Sequence, residues 1–419
     1  MMLQSYKNKR VRIIDNGIFC EIAVKLSQWF GQVEYYSPWE EAYVKSNNRL
    51  VGDGIPGVKR QNRIFDDIDK VDLWVFPDLY HSDLQDYLEK KGKRVWGSRS
   101  GENLELYRAE SKEHFKKLGL PVGNYKTIIG MDALRAELKP RRNVFVKVSV
   151  TRGDFESFHV KNYSLIEPKL DEMEHNLGEK KKIAEFIVED GIDGVEIGYD
   201  GYCIDGIFPK TALLGLEVKD KSYIGHVQQY ANMPRQITDF TRAIGDTMKQ
   251  AHYRNFMSTE NRITPKGTSY MNDLCARQGS PPSELYINMF DNLPDIIWYG
   301  AEGKCIDPII SKPWGAECII DSFWSDRNWQ AIQFPPEYRD NVKLRQFTRI
   351  KGQYYVIPQN EGSTTVGAVV GVGNTLEEAV KKVKDVAKKI EGYNLIVHDS
   401  ALDKAQDEIN KLKPLGIKL

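Results

Sequence analysis

Glu260 and Asp273 stand on either side of a Pro265-Lys266-Gly267 turn in the stretch MSTENRITPKGTSYMNDLCARQGSPPSE, residues 257–284. Two strands closed by a tight turn centred on Lys266 and Gly267 place Glu260 opposite Asp273, and Arg262 opposite Met271. Like charges roughly 5 Å apart across a ladder destabilise a sheet, so facing carboxylates call for a compensating charge. A divalent cation is the simplest one, and a hard, oxygen-ligated ion such as Mg2+ would also bridge to phosphates. Positions 273, 275 and 277 share one strand face, which adds the Cys275 thiol and the Arg277 guanidinium. An arginine there could neutralise developing negative charge. A solvated surface hairpin with an ordinary ion pair is the competing reading of the same residues.

Two further groups bear on the same chemistry. EDGIDGVE holds Glu189 and Glu196 around an apolar Ile192, with a glycine on either side of it. Such a stretch could line a slot for a ribosyl-adenine, the acidic side chain accepting ribose hydroxyl protons; the plainer reading is an acidic loop entering a hairpin. Lys112 and Lys147, with the glycine turn that contains Arg152 and Gly153, supply the components of a phosphate cradle. Lys147 ends the apolar run NVFV, whereas Lys112 sits in a charged helix and reads as solvated surface on its own. GxxxxGK[ST], HExxH and GxSxG are absent, and the seven histidines show no metal-ligand spacing.

The elements that must position these residues belong to a chain of 419 residues, long enough for two to four domains. Its 59 basic and 59 acidic side chains balance, which argues against a protein that relies on a net basic field to bind nucleic acid or a membrane surface. Five scattered cysteines without a CxxC pair suit reduced thiols in a cytoplasmic protein. No apolar run reaches the length of a membrane span, and the N-terminus lacks a signal-peptide core.

Strands alternating with helices over residues 1–105 predict a small doubly wound parallel domain, and the missing GxGxxG turn argues against a dinucleotide site. A helix from Glu102 to Leu118 leads into a strand–helix–strand region, with strand NVFVKVSV followed by ESFHVKN. VEIGYDGYCIDGIF predicts a hairpin turning at Asp200-Gly201. Beyond residue 311, strand-like runs and a Lys/Glu-rich helix from Thr375 to Ile390 predict a separate small α+β domain.

In this order the pieces resemble an ATP-grasp enzyme of the glycinamide ribonucleotide synthetase (phosphoribosylamine–glycine ligase) type, over nearly the whole chain. The stretch from VDLWVFPDLY to LGLPVGNY is similar to the one that closes the family's N-terminal domain and opens the grasp, with Lys112 as its first ATP lysine. NVFVKVSV matches the strand of the second, Lys147, and TRGDF takes the place of the phosphate loop. EDGIDGVE matches the nucleotide hinge, which implies Glu189 and Ile192 at the adenine and Glu196 at the ribose. STENRIT and MNDLCAR resemble the metal-binding strands, which implies Glu260 and Asp273 as Mg2+ ligands and Arg277 as the stabiliser of an acyl phosphate.

The resemblance implies an α/β ATP-grasp architecture: a doubly wound pre-ATP-grasp domain at 1–105, a body at 106–310 with a lid at about 120–190, and a C-terminal α+β domain at 311–419. It implies ATP and Mg2+ as cofactors, ADP as a product, and small-molecule carboxylate and amine substrates joined through an acyl phosphate, in a monomer or homodimer. Three departures bear on the substrates. Cys275 stands where the family has asparagine, GLEVKDKSYIG replaces its glycine-rich substrate loop, and an uncharged run, Gln278 to Ser283, replaces an acidic segment. A genuine phosphoribosylamine–glycine ligase and an ATP-binding protein with weak or lost catalysis are the alternatives.

Overall fold

A computed structural model describes residues 5–38, 50–149, 157–358 and 364–419. The chain opens with a parallel sheet of strands β1 (Tyr6–Ile14), β2 (Phe30–Tyr36), β3 (Val58–Arg60), β4 (Leu73–Val75) and β5 (Arg94–Trp96), in the order β3-β2-β1-β4-β5. Helices Cys20–Ser27 and Ser82–Lys90 make the crossovers from β1 to β2 and from β4 to β5. Strand order reverses between β1 and β4, so a crevice opens where their carboxyl ends part. Asp15 and Asp78 follow those ends, and Asn16 Nδ2 donates to Asp78 Oδ2 over 3.3 Å. The predicted doubly wound domain is present.

Strands β6 (Tyr125–Ile129), β7 (Val144–Val148), β8 (Ser157–Val160) and β9 (Glu185–Asp190) form an antiparallel sheet ordered β6-β9-β7-β8. Alternation explains its two faces. Val144, Val146 and Val148 pack with Leu134, Leu138 and Leu170 of helices Met131–Leu138 and Tyr163–Leu177, while Lys147 between them belongs to the opposite face. This layer covers the stretch expected to form a lid, and it is called the lid below.

The body is a larger antiparallel sheet. Its strands β10 (Val195–Ile204), β11 (Thr211–Val218), β12 (Ser222–Gln229), β13 (Arg254–Ile263) and β14 (Ser269–Cys275) run in the order β14-β13-β10-β11-β12. The first strand after 311 does not start a new sheet. β15 (Trp314–Asp321) pairs with β12, and a strand at Thr365–Gly373 continues outward from β15, so a boundary at 311 falls inside one hydrogen-bonded surface. The C-terminal part does have a small sheet of its own, at Gln330–Ile332, Phe347–Ile350 and Gln353–Val356.

Two local expectations need correction. Asp200-Gly201 is not a turn: β10 runs through it without a break, Asp200 pairs with Ser258, and all ten residues of the strand are buried. The turn falls at the next Asp-Gly, where Asp205 (φ 49°) and Gly206 (φ 82°) adopt the left-handed conformations that a tight hairpin needs. A central strand buried on both faces overrides the local turn preference of its first Asp-Gly. The hairpin of β13 and β14 does place Glu260 opposite Asp273, but Arg262 faces Tyr270 and Asn261 faces Met271, because a bulge leaves Asn272 unmatched.

Gly198 of β10 lies against the ribbon that carries Glu260. A Cβ built there would sit 1.6 Å from the Thr259 carbonyl oxygen, and the Tyr199 N–H donates to Thr259 Oγ1 at 2.9 Å. Substituting Gly198→Ala would push β13 outward and should cost roughly 1–3 kcal/mol. Urea denaturation followed by tryptophan fluorescence checks this; an unchanged midpoint would show that the close approach is relieved without cost.

Candidate functional site

The cleft between lid and body is built from the faces just described. Helix Arg108–Lys117 buries Phe115 against Phe240 of the body and presents Arg108 and Lys112, one turn apart, to the cleft. Lys147 comes from β7, Glu189 from β9, and Asp273 from β14. Arg108 Nη1 donates to both Asp273 oxygens at 2.8 and 2.7 Å. Lys147 Nζ lies 3.4 Å from Asp273 and 3.5 Å from Glu189, and donates to the Asn272 carbonyl at 2.9 Å. Lys112 Nζ closes the run 2.8 Å from Glu189. Three cations thus alternate with two carboxylates.

Their protonation follows from that order. Burial disfavours the Asp273 carboxylate, but Arg108 and Lys147 outweigh it and hold its pKa well below the usual range. Burial likewise opposes the charge on Glu189, and Lys147 and Lys112 overcome it. Burial works against the Lys147 ammonium, yet Asp273 and Glu189 raise its pKa. Lys112, desolvated and facing Lys147, has its pKa lowered despite Glu189. It is buried, so the expectation of a solvated Lys112 does not hold: its helix packs this face under the lid.

A second group lies on the body sheet. The carboxylates of Glu196 (β10), Glu217 (β11) and Glu260 (β13) bring oxygens within 4.8 Å of one another. Arg262 Nη2 donates to Glu196 at 2.6 Å, and Lys219 Nζ reaches Glu260 at 3.1 Å and Glu217 at 3.7 Å. Desolvation pushes the Glu217 carboxyl up to about 8, with the neighbouring Glu260 and Glu196 adding to the shift against the pull of Lys219. Because 55% of the Lys219 side chain is open to water, solvent screens that pull.

At the far end, Arg277 Nε donates to Glu105 at 3.0 Å and lies 3.9 Å from Asp78 at the crevice of the parallel sheet. Burial keeps the Cys275 thiol protonated, pushing its pKa well above the ordinary value. Ile192 is half-buried at the hinge, where a Cβ on Gly123 would come within 2.9 Å of its Cδ1. Arg152 and Gly153 lie outside the described residues.

The structure therefore gathers Lys112, Lys147, Glu189 and Asp273 into one charged run, sets Glu196 and Glu260 beside it, and puts Arg277 at its edge. It separates the partners of the facing pair: Asp273 belongs to Arg108, and Glu260 to Lys219. Arg108, Glu105, Glu217 and Lys219 escaped the sequence reading. The four-residue spacing of Arg108 and Lys112, and the two-residue spacing of Glu217 and Lys219, were the available signals.

No protein-family model and no curated protein sequence matches the chain. Among solved structures it is similar to a phosphoribosylamine–glycine ligase from Thermotoga maritima, with a TM-score of 0.67 and 16% identity over 93% of this chain and 98% of that one. It is also similar to a biotin carboxylase from Campylobacter jejuni, with a TM-score of 0.62 and 14% identity over 97% and 96% of the two chains. An L-amino acid ligase from Bacillus licheniformis matches with a TM-score of 0.58 and 14% identity over 92% and 98%. These likenesses show that the chain has the ATP-grasp fold.

Asp200 lies under the same cleft face, and burial pushes its carboxyl up to about 7 against hydrogen bonds with Ser258 and Tyr223. Between its unfolded value near 4 and about 7, the folded chain binds the extra proton, so stability falls as pH rises through that window. Asp200→Asn should remove this slope: relative to the variant, the parent loses on the order of 1–4 kcal/mol between pH 4 and pH 8. Denaturation curves across that range test it, and parallel pH profiles would contradict it.

Proposed function

We propose that the chain is an ATP-dependent ligase that activates a carboxylate as an acyl phosphate and couples it to an amine, releasing ADP and phosphate. The observation that carries this reading is the charged run at the lid–body junction. Arg108, Lys147 and Lys112 exceed Asp273 and Glu189 by one positive charge, in a cleft the fold closes from both sides. Likeness to ligases of known structure supports the same reading.

In this reading Lys112 and Lys147 exchange their carboxylate partners for phosphate oxygens, and the strands at Glu189 to Glu196 hold the nucleoside, with Ile192 against the base. Arg277, kept in place by Glu105, faces the crevice where the acid would lie and stabilises charge on the acyl phosphate and on the tetrahedral oxyanion that follows. Buried fixed charges do this without reorganising at the moment of reaction. Mg2+, when bound, would shield the phosphates and make the terminal one a better electrophile. Of the residues that the resemblance assigns to the ion, Glu260 fits, offering carboxylate oxygens to a hard cation. Asp273 has both oxygens on Arg108 and does not fit, and Cys275, standing where the family has asparagine, offers only a thiol.

That misfit also favours a second reading, a nucleotide-binding protein with weak catalysis. The narrower alternative, a true phosphoribosylamine–glycine ligase, draws on one of the structural likenesses. The absence of disulfides, with five free cysteines, agrees with a cytoplasmic setting. Among the described residues no helix is long and apolar enough to cross a membrane.

A coupled assay for ADP release, with ATP, Mg2+ and a panel of acids and amines that includes glycine and phosphoribosylamine, should give turnover only when both an acid and an amine are present. Lys147→Met should weaken ADP binding by at least about tenfold in calorimetry. Unchanged ADP affinity in that variant would remove the phosphate assignment, and no turnover with any pair would favour the second reading.

A further inference from the structure

The misfit at Asp273 and Cys275 leaves a question of where a hard cation would bind in this cleft. Asp273 is committed: both its oxygens accept from Arg108, and Lys147 lies 3.4 Å away. A carboxylate so held has little to offer an ion without breaking a buried pair.

Glu196, Glu217 and Glu260 are different. They come from three adjacent strands and converge to within 4.8 Å, a spread that suits oxygens around an ion with bonds of about 2.1–2.6 Å. Among the described residues Arg262 and Lys219 are the cations paired directly with these three side chains, and Lys147 acts on Glu196 and Glu260 from farther away. Glu196 is 5% exposed; its Oε2 is taken by Arg262, and its Oε1 is buried without a hydrogen-bond partner. A buried carboxylate oxygen left without a donor is costly, and a cation among these three side chains would satisfy it. Lys219 stands as the counter-charge on the open side, its long side chain half in water.

We infer that this chain binds a hard divalent cation, of the Mg2+ or Mn2+ type, through Glu196, Glu217 and Glu260 in place of the Asp273–Cys275 strand, and that the ion displaces Lys219. The inference builds on the nucleotide-site reading but is measured without nucleotide. When the ion enters, the Lys219 ammonium leaves Glu260 and turns into the cleft. No covalent bond changes.

The test uses the full chain and Mn2+ alone, with binding read by electron paramagnetic resonance, and ADP binding measured separately by calorimetry in the presence of a chelator. The parent should bind Mn2+; Glu217→Gln should weaken that binding at least about tenfold, and Glu217→Asp should weaken it less. Lys219→Met should tighten it, because the competing ammonium is gone, and Asp273→Asn should leave it within about twofold. Metal-free ADP affinity should be the same in Glu217→Gln and the parent. The proposal is overturned if the parent binds no Mn2+, if Glu217→Gln binds as the parent does, if Lys219→Met binds more weakly, or if Asp273→Asn abolishes binding. Should Glu217→Gln fail to fold, the tighter binding expected of Lys219→Met and the unchanged binding expected of Asp273→Asn decide. Mn2+ binding without ADP binding would sink the ligase reading and keep this site; ADP binding without Mn2+ binding would do the reverse.

Discussion

A run of alternating buried charge, Arg108–Asp273–Lys147–Glu189–Lys112, holds the lid against the body. Lys147 and Glu189 belong to the lid sheet, Asp273 to the body, and the two remaining cations to the helix that precedes the lid sheet. Burying any one of these groups alone would cost several kcal/mol, so each tolerates its position only because its neighbours carry the opposite sign. The run ends in a cation on both sides, which leaves an excess of positive charge where phosphates would lie. The bulge at Asn272 matters here, since it frees the carbonyl that accepts from Lys147 and sets the Asp273 side chain toward Arg108.

On the body sheet the carboxyl groups of Glu196, Glu217 and Glu260 gather beside Lys219 and Arg262, so a basic run and a carboxyl-rich cluster lie side by side. Such polarity suits a polyanion carrying its own cation. Arg277 stands between this cleft and the switch crevice of the parallel sheet, tied by Glu105 and close to Asp78. Three layers thus meet at one place: the sheet of Lys147 and Glu189, the body sheet of Glu260 and Asp273, and the crevice of the N-terminal parallel sheet.

Much of this was legible in the residue order. Local patterns fixed by side-chain alternation came through: the doubly wound start, the lid strand of Lys147, and the pairing of Glu260 with Asp273. What was lost depends on contacts between distant segments. One unmatched residue in β14 moved Arg262 from Met271 to Tyr270, which no turn rule anticipates, and the β10 register set Arg262 against Glu196. The Asp200-Gly201 signal was overruled by burial of β10 on both faces, and the second Asp-Gly took the turn. The C-terminal strands joined the body because β12 offered an edge to β15, a choice invisible to local sequence. Arg108 and the pair Glu217–Lys219 were each legible as neighbours on one face, but only the tertiary fold gives those faces a common cleft.

A crystal structure of the chain with ADP and Mn2+, read by anomalous diffraction, would decide between a phosphate site and a mere structural ion network. The result expected is a phosphate oxygen within hydrogen-bonding distance of both Lys112 and Lys147, with the Arg108–Asp273 pair still intact beside it. Phosphates bound elsewhere, with the five-residue run unchanged, would contradict the reading of this cleft as a nucleotide site.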